Sequence, residues 1–231
     1  TLMRAIARWL GITSRTALMT ALMPSIRYGC FDELIVASMN KLTRTDLWSL
    51  EDYAQVRSEF RRRVLEHKRN RKVALGAHLT LLFEDRMTIL YQIQEMLRIE
   101  RIFERAGIEE ELTAYNPLIP DGTNLKATML IEYAEVGERQ VALERLKGVE
   151  HSIFLEVGDE RTRAVADEDL ERSNADKTSA VHFLRFELNE RARAAVKTGG
   201  AFRFCVEHPA YSEALEPEEA VQKALSADLH L

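Results

Sequence analysis

Cysteine is nearly absent from this sequence: its 231 residues include only Cys30 and Cys205. These two residues form no CxxC pair, and two isolated thiols cannot by themselves hold an iron–sulphur cluster or a structural zinc ion. They also suggest no disulfide framework. The cysteine content therefore favours a protein of the reducing cytoplasm with no evident cofactor of its own.

Long apolar runs are also lacking, since no stretch reaches the roughly 18 residues that would suggest a membrane span. Glycine and proline are few, whereas 46% of the residues are hydrophobic and 30% are charged. This composition is typical of a folded globular protein. The formal net charge is −5, and an acidic protein is not expected to bind nucleic acid non-specifically as its main task.

The first 38 residues differ from the rest of the chain. They carry four arginines against Asp32 and Glu33, so the acidic excess lies in the remaining part. Because the chain begins at Thr1 and Met39 precedes the first helix signal, residues 1–38 are predicted to be a non-native or flexible extension. Two alternatives stay open, an amphipathic anchor at a membrane surface and a targeting segment.

Residues 39–116 are predicted to form a helical region with a β-hairpin. An apolar stripe at helical spacing follows Ser49 and predicts a helix of about six turns, ending near Arg69. Two short apolar runs around Gly76 predict the hairpin. A second long helix is predicted over residues 86–106, where the apolar residues again recur at helical spacing.

Residues 117–231 are predicted to form a sandwich of helices on a β-sheet. Apolar and polar residues alternate there in several short stretches, which indicates strands, and helical patterns separate some of them. The predicted order β-α-β-β-β-α-β is ferredoxin-like with one additional strand. The whole chain is therefore predicted to have an α+β fold.

Two kinds of residue could carry chemistry, glutamates and histidines on apolar faces. Glu100 falls within the apolar arc of the second long helix, where it would be a general base or metal ligand, or a solvated group where the helix leaves the core. His182 alternates with apolar residues of a strand and would carry protons, bind a metal or be a satisfied core residue. His67 and His78 flank the hairpin and with Glu84 could bind a metal, although their spacing matches no established metal motif.

The most basic stretch of the chain comprises Arg61, Arg62, Arg63, Lys68, Arg69, Arg71 and Lys72. It could bind phosphate, RNA or an acidic partner, although it lacks the interleaved aromatic residues on which bases stack. Arg98 on the second long helix extends this predicted docking surface, and Lys126 follows a turn that could cradle an anion. The alternatives are a solvated helix end, a solvated helix face and an ordinary β-turn.

Several strings of the sequence resemble a known family. They are KLTRTDL at 41–47, HKRNRKVALGAH at 67–78, FED at 83–85, YQIQEMLR at 91–98, YNPLIPDG at 115–122, TSAVHFLRF at 178–186 and HPAY at 208–211. From Met39 to about Leu229 the chain resembles the bacterial domain-of-unknown-function family 3501. The resemblance implies a redox or oxidative-stress context, because members are typically encoded beside a rubrerythrin and a GlpC-like iron–sulphur oxidoreductase.

The leading hypothesis is therefore an accessory or binding protein of a bacterial, rubrerythrin-associated redox system, whose basic surfaces dock an acidic partner such as rubrerythrin or the iron–sulphur oxidoreductase. One alternative is a metal-dependent enzyme that uses residues in or beside the matching strings. Glu95, Glu100 and His182 would then be catalytic, and His78 and Glu84 would bind a non-haem metal. A second alternative is binding of RNA or another anion through residues 61–72.

Overall fold

The computed structural model describes residues 40–166 and 177–230. The predicted extension at residues 1–38 lies outside this part of the chain. The described elements, in chain order, are α1 (Leu50–Arg69), β1 (Lys72–Leu75), β2 (Leu79–Glu84), α2 (Arg86–Glu100), α3 (Arg105–Tyr115), β3 (Asn124–Ile131), α4 (Val136–Arg145), β4 (Ile153–Val157), β5 (Glu160–Arg163), β6 (Val165–Ala166), β7 (Val181–Glu187), α5 (Glu190–Lys197), β8 (Phe202–His208), β9 (Tyr211–Leu215) and α6 (Glu219–Ser226).

Side-chain caps determine where the two long helices begin. The Ser49 hydroxyl accepts a hydrogen bond from the backbone N–H of Asp52 at 3.0 Å and so caps α1. Asp85 and Thr88 form a reciprocal capping box at the start of α2, with N–H to oxygen distances of 2.8 and 2.9 Å. Such caps satisfy the otherwise unpaired N–H groups of a first helical turn. The predicted starts of both helices are confirmed.

The end of α2 differs from its prediction. The helix stops at Glu100 because Arg101 adopts a left-handed conformation (φ 57°, ψ 42°), and the N–H of Ile102 bonds to the carbonyl of Leu97 at 2.9 Å. This pattern terminates helices. Residue 106, at which the helix was predicted to end, instead lies inside α3.

The strands form two antiparallel sheets. The first has the order β1-β2-β3-β7-β6 and the second the order β5-β4-β8-β9. The α+β class is confirmed, but the ferredoxin-like arrangement is not, because four of the strands belong to a second sheet. The hairpin β1-β2 joins the first sheet through pairs such as Phe83 with Ala127. The predicted boundary near residue 116 therefore falls between elements that share one sheet.

Two apolar cores hold these layers together. The larger one contains the inward-facing residues of both sheets, for example Phe83 and Phe204, whose ring centroids are 5.1 Å apart. The smaller one joins α1, α2 and α3 around buried residues such as Tyr53, Phe60 and Ile93. Alternate residues of β2 and β3 point away from the first core, so the first sheet presents a second face to the helical layer.

None of the helices in residues 40–166 and 177–230 combines the length and the apolar character that crossing a membrane requires.

Gly122 contacts the C-terminal residues of the described chain, and the requirement for glycine at this position can be tested. Its φ is +92°, and its carbonyl accepts a hydrogen bond from the N–H of His230 at 2.8 Å. We expect Gly122→Ala to lower the free energy of unfolding by at least ~1 kcal/mol, because side chains other than glycine are strained at this φ. Urea unfolding measures the change.

The matched control is Gly137→Ala in α4, where an added Cβ meets no atom within 4 Å and the backbone is helical. This substitution should raise the free energy of unfolding by up to ~1 kcal/mol, because alanine favours helix over glycine. Equal changes in the two variants would contradict the role assigned to the backbone of Gly122.

Candidate functional site

Glu95, predicted to be catalytic, is buried between α1 and α2 and is surrounded by donors. Its carboxylate accepts two hydrogen bonds from Arg57 at 2.7 and 2.9 Å, two from Arg98 at 3.1 and 3.4 Å and one from the Tyr53 hydroxyl at 2.8 Å. Burial would raise the pKa of Glu95, but the bonds from Arg57, Arg98 and Tyr53 outweigh it and lower the pKa to about 2. The Glu95 carboxylate therefore joins α1 and α2, and the Arg98 guanidinium is bound to it.

Glu100, also predicted to be catalytic, is exposed at the last position of α2. The helix has left the apolar core at this point, and it ends one residue later at Arg101, which has a left-handed conformation. Glu100 is therefore the solvated group at a helix end that the sequence analysis gave as the alternative to a buried base.

His182, the third residue predicted to be catalytic, is completely buried in β7. Its Nε2 lies 2.8 Å from the Thr178 hydroxyl and 3.0 Å from the Ser179 carbonyl, and the Thr178 hydroxyl donates to a Glu150 oxygen at 3.1 Å. His182 pairs with Met129, so its side chain faces the core between the sheets. Sequence reasoning missed Glu150 and Thr178, because neither stands at a spacing typical of a site.

His78 and Glu84, the predicted metal ligands, lie at opposite ends of β2. Six residues of extended strand separate their backbones by about 20 Å. The Glu84 carboxylate accepts hydrogen bonds from the Thr88 and Thr128 hydroxyls at 2.6 and 2.8 Å. His78 lies 3.0 Å from the Glu132 carbonyl through Nδ1 and stacks on Tyr133 with centroids 3.9 Å apart. The two residues have separate environments.

The five residues of the predicted enzyme site are thus not brought together. His182 faces the core between the sheets, Glu84 points to the opposite face of the first sheet, and Glu95 lies between helices. Across residues 40–166 and 177–230, no three His, Cys, Asp or Glu side chains are placed to hold a metal ion.

Arg71, predicted to bind a partner, is buried with 2% of its surface exposed. Its guanidinium donates to three backbone carbonyls of β2 and α6 at 3.1–3.3 Å. It also bonds to Asp228 and lies 3.5 Å from Asp85, which His67 contacts in turn. Burial raises the pKa of Asp228 to about 6, and the Asp85 charge adds to this against the effect of Arg71. Arg71 is therefore a structural residue.

In the loop before Lys126, the side chain of Asp121 accepts the hydrogen bonds that a bound anion would accept. The Asp121 carboxylate accepts hydrogen bonds from the N–H and hydroxyl of Thr123 at 2.9 and 2.7 Å and from the Asn124 amide at 2.9 Å. The turn is thus closed by an internal carboxylate, as in an Asx turn. Lys126 lies in β3, opposite Glu84, and not in the loop.

The basic stretch divides into cations that are used internally and cations that are exposed. Arg62 is exposed but pairs with Glu59 at 2.6 Å and with Glu66 at 3.4 Å. Arg63 is half-buried, and the ammonium of Lys68 is buried near Glu84 and Asp85. The cations that are exposed and form no ion pair with any described residue are Arg61, Arg69 and Lys72.

Two of these cations lie on one face of α1. Arg61, Leu65 and Arg69 follow each other at intervals of four residues, which places them on adjacent turns of the same helix face. Leu65 is 46% exposed between them. We call these three residues the basic stripe. It combines an exposed apolar side chain with two guanidinium groups that form no ion pair, of which that of Arg61 donates a hydrogen bond to the Tyr91 hydroxyl.

The family model of DUF3501, described as proteins of unknown function, matches residues 41–229. The chain belongs to this family. It is also similar to the crystal structure of a protein of unknown function from Burkholderia pseudomallei, with 51% identity and a TM-score of 0.79 over 83% of this chain and all of that one. Among curated proteins, none matches the chain. The family resemblance predicted from the sequence strings is confirmed.

The ion cluster of Glu95 gives this DUF3501 chain a predictable acid response. We expect Glu95→Gln to lower the free energy of unfolding at pH 7 by about 2 kcal/mol, because it removes the buried anion that accepts hydrogen bonds from the partly exposed Arg57 and Arg98. The pKa of Glu95 lies near 2 in the folded state, below its ordinary 4.5. Its stabilisation is therefore present above pH 4.5 and is lost as the pH falls towards 2. The free energies of unfolding of the variant and the wild type should therefore converge as the pH falls towards 2. Urea unfolding at several pH values measures them.

Glu59→Gln is the control, because Glu59 pairs with Arg62 on the exposed side of α1. Exposed pairs contribute about 0.2–1 kcal/mol, so this variant should remain close to the wild type. A constant difference between the Glu95 variant and the wild type from pH 7 to pH 2 would refute the assigned pKa.

Proposed function

We propose that this DUF3501 chain is a binding protein that docks an acidic protein partner on the basic stripe of α1. The proposal is supported by the different environments of the arginines in this chain. Arg57, Arg71 and Arg98 are held by internal carboxylates, whereas Arg61 and Arg69 are exposed and form no ion pair with the described residues.

The charge of the chain favours an acidic partner. The chain as a whole is acidic, with a formal net charge of −5, so a basic stripe is a local exception on its surface. Complementary charge steers the encounter of two proteins and sets their register. The exposed Leu65 between the two arginines would supply apolar contact, and arginine itself is enriched in interfaces.

The partner that we propose is the rubrerythrin or the iron–sulphur oxidoreductase suggested by the family resemblance. The chain would then be a cytoplasmic accessory protein of a redox or oxidative-stress system. Its contribution would be binding, because the predicted catalytic residues Glu95, Glu100 and His182 lie in three separate environments. RNA binding through the same cations is the outcome that would replace this proposal.

The test compares two double variants of the full chain. We expect Arg61→Ala with Arg69→Ala to weaken binding of the purified rubrerythrin or iron–sulphur oxidoreductase roughly tenfold, because each exposed ion pair contributes up to about 1 kcal/mol. Titration calorimetry at low and moderate salt measures the affinity, which should fall with added salt.

The matched control is Glu59→Gln with Arg62→Ala. It also changes two residues on the exposed side of α1, but it removes an internal pair and leaves the net charge unchanged. Its affinity should stay within about twofold of the wild type. If neither protein binds the wild-type chain at low salt, or if only single-stranded RNA binds with a steep salt dependence, the proposal fails.

A further inference from the structure

An apolar groove of about 620 Å³ opens beside the start of α1. Trp48 and Leu50 line it from the segment that enters this helix, and Ile102, Phe103 and Ile108 line it from the α2–α3 loop and from α3. Its volume lies in the range of about 300–1,000 Å³ that is typical of binding pockets. The groove can therefore hold several apolar side chains together.

The lining of the groove is exposed apolar surface. Phe103 is 73% exposed, more than any other large hydrophobic residue in the described ranges. Trp48, Leu50, Ile102 and Ile108 are only partly buried, at the edge of the helical core. Single exposed apolar residues are ordinary on a protein surface, whereas several around one groove mark a binding site.

The groove lies on the same side of α1 as the basic stripe. Leu50 and Arg61 are about three helical turns apart, so their side chains point in nearly the same direction, about 16 Å apart along the helix axis. Both face α2, because Leu50 lines the groove together with Leu97, and Arg61 donates to the Tyr91 hydroxyl. One elongated partner surface can therefore contact the groove and the basic stripe at the same time.

Positive charge lies beside the groove and not inside it. The rim of the groove carries Arg44 and Glu51, one residue of each sign. Next to the groove, the guanidinium groups of Arg57 and Arg98 share the single carboxylate of Glu95, which leaves an excess of positive charge. This arrangement is complementary to a partner whose apolar residues are flanked by acidic ones.

We propose that the groove binds apolar anchor residues of the same acidic protein that docks on the basic stripe. The inference rests on the proposed function and adds the apolar half of the interface to it. A few buried apolar or aromatic anchors carry most of the energy of a protein interface, whereas charges at its rim steer the encounter. The partner is accordingly an acidic protein that presents large apolar side chains roughly 16 Å from the carboxylates that contact Arg61.

Phe103→Ala tests the groove, because this exposed ring can be removed with little effect on the core. Titration calorimetry of the full chain with purified rubrerythrin or iron–sulphur oxidoreductase should show about tenfold weaker binding. The loss should be equal at low and moderate salt, since apolar burial is not screened by ions. The variant Arg61→Ala with Arg69→Ala should instead lose most affinity at low salt.

The matched control is Val136→Ala, because Val136 is 60% exposed on α4 and lines no part of the groove. Its affinity should stay within about twofold of the wild type. Equal affinities of the Phe103 variant and the wild type would overturn the inference and leave the proposed function intact. A loss in the Phe103 variant, with no loss in the Arg61 and Arg69 variant, would support the groove and refute the basic stripe.

A peptide probe decides the inference if neither redox protein binds and the proposed function fails. In a Trp9→Phe background, Trp48 is the single tryptophan of the chain, so its fluorescence reports on the groove. A tryptophan-free acidic peptide with leucines on one helical face should protect Trp48 from acrylamide quenching, and Phe103→Ala should abolish most of this protection. Absence of protection at about 1 mM peptide, or equal protection by a peptide with serines in place of the leucines, overturns the inference.

Sedimentation of the chain alone tests a second copy as the occupant. We expect the wild type and the Phe103→Ala variant to sediment alike over a wide range of concentration. A dimer of the wild type that this substitution dissociates would assign the groove to contacts between copies of this chain, and would overturn the inference.

Discussion

The buried guanidinium of Arg71 is the interaction on which the rest of the structure depends. It lies just after α1 and bonds to carbonyls of β2 and α6 and to the carboxylate of Asp228. Asp85, 3.5 Å away, also caps α2. One positive charge thus connects the first long helix, the hairpin, the start of the second helix and the end of the chain. Removal of Arg71 would leave the buried carboxylates of Asp85 and Asp228 without their shared guanidinium group, which is strongly unfavourable.

The internal use of charge also decides which surface remains for binding. Arginines that look equivalent in the sequence have different partners: Arg57 and Arg98 share Glu95, Arg71 holds Asp228, and Arg62 pairs with glutamates of its own helix. What distinguishes Arg61 and Arg69 is their place on the exposed face of α1 and the lack of such partners in the described ranges. The proposed function therefore rests on the exposed arginines that form no ion pair within the fold.

Local features were predicted well from the sequence. Ser49 and Asp85 cap the two long helices, and Gly76 lies in the hairpin turn, since capping and turn formation need only a few neighbouring residues. Features that depend on distant residues were not predicted. The division of strands into two sheets depends on pairings such as Phe154 with Cys205, and alternation along one strand does not say which strand lies beside it.

The candidate site shows the same limit. His182 was correctly identified as a polar group on an apolar face and is buried. Glu100 was placed on an apolar face in the same way but is exposed, and the buried carboxylate of this helix is that of Glu95. The distant partners of Glu95 and His182 could not be read from the chain, because Arg57 is 38 residues from Glu95, and Glu150 is 28 residues from the Thr178 that links it to His182. The sequence by itself determined the α+β class, the family and the helix starts, since these depend on composition, motifs and neighbouring residues. Only the tertiary structure decided which charges are paired and which side chains share a cavity, because burial and Coulomb energy depend on distances through space.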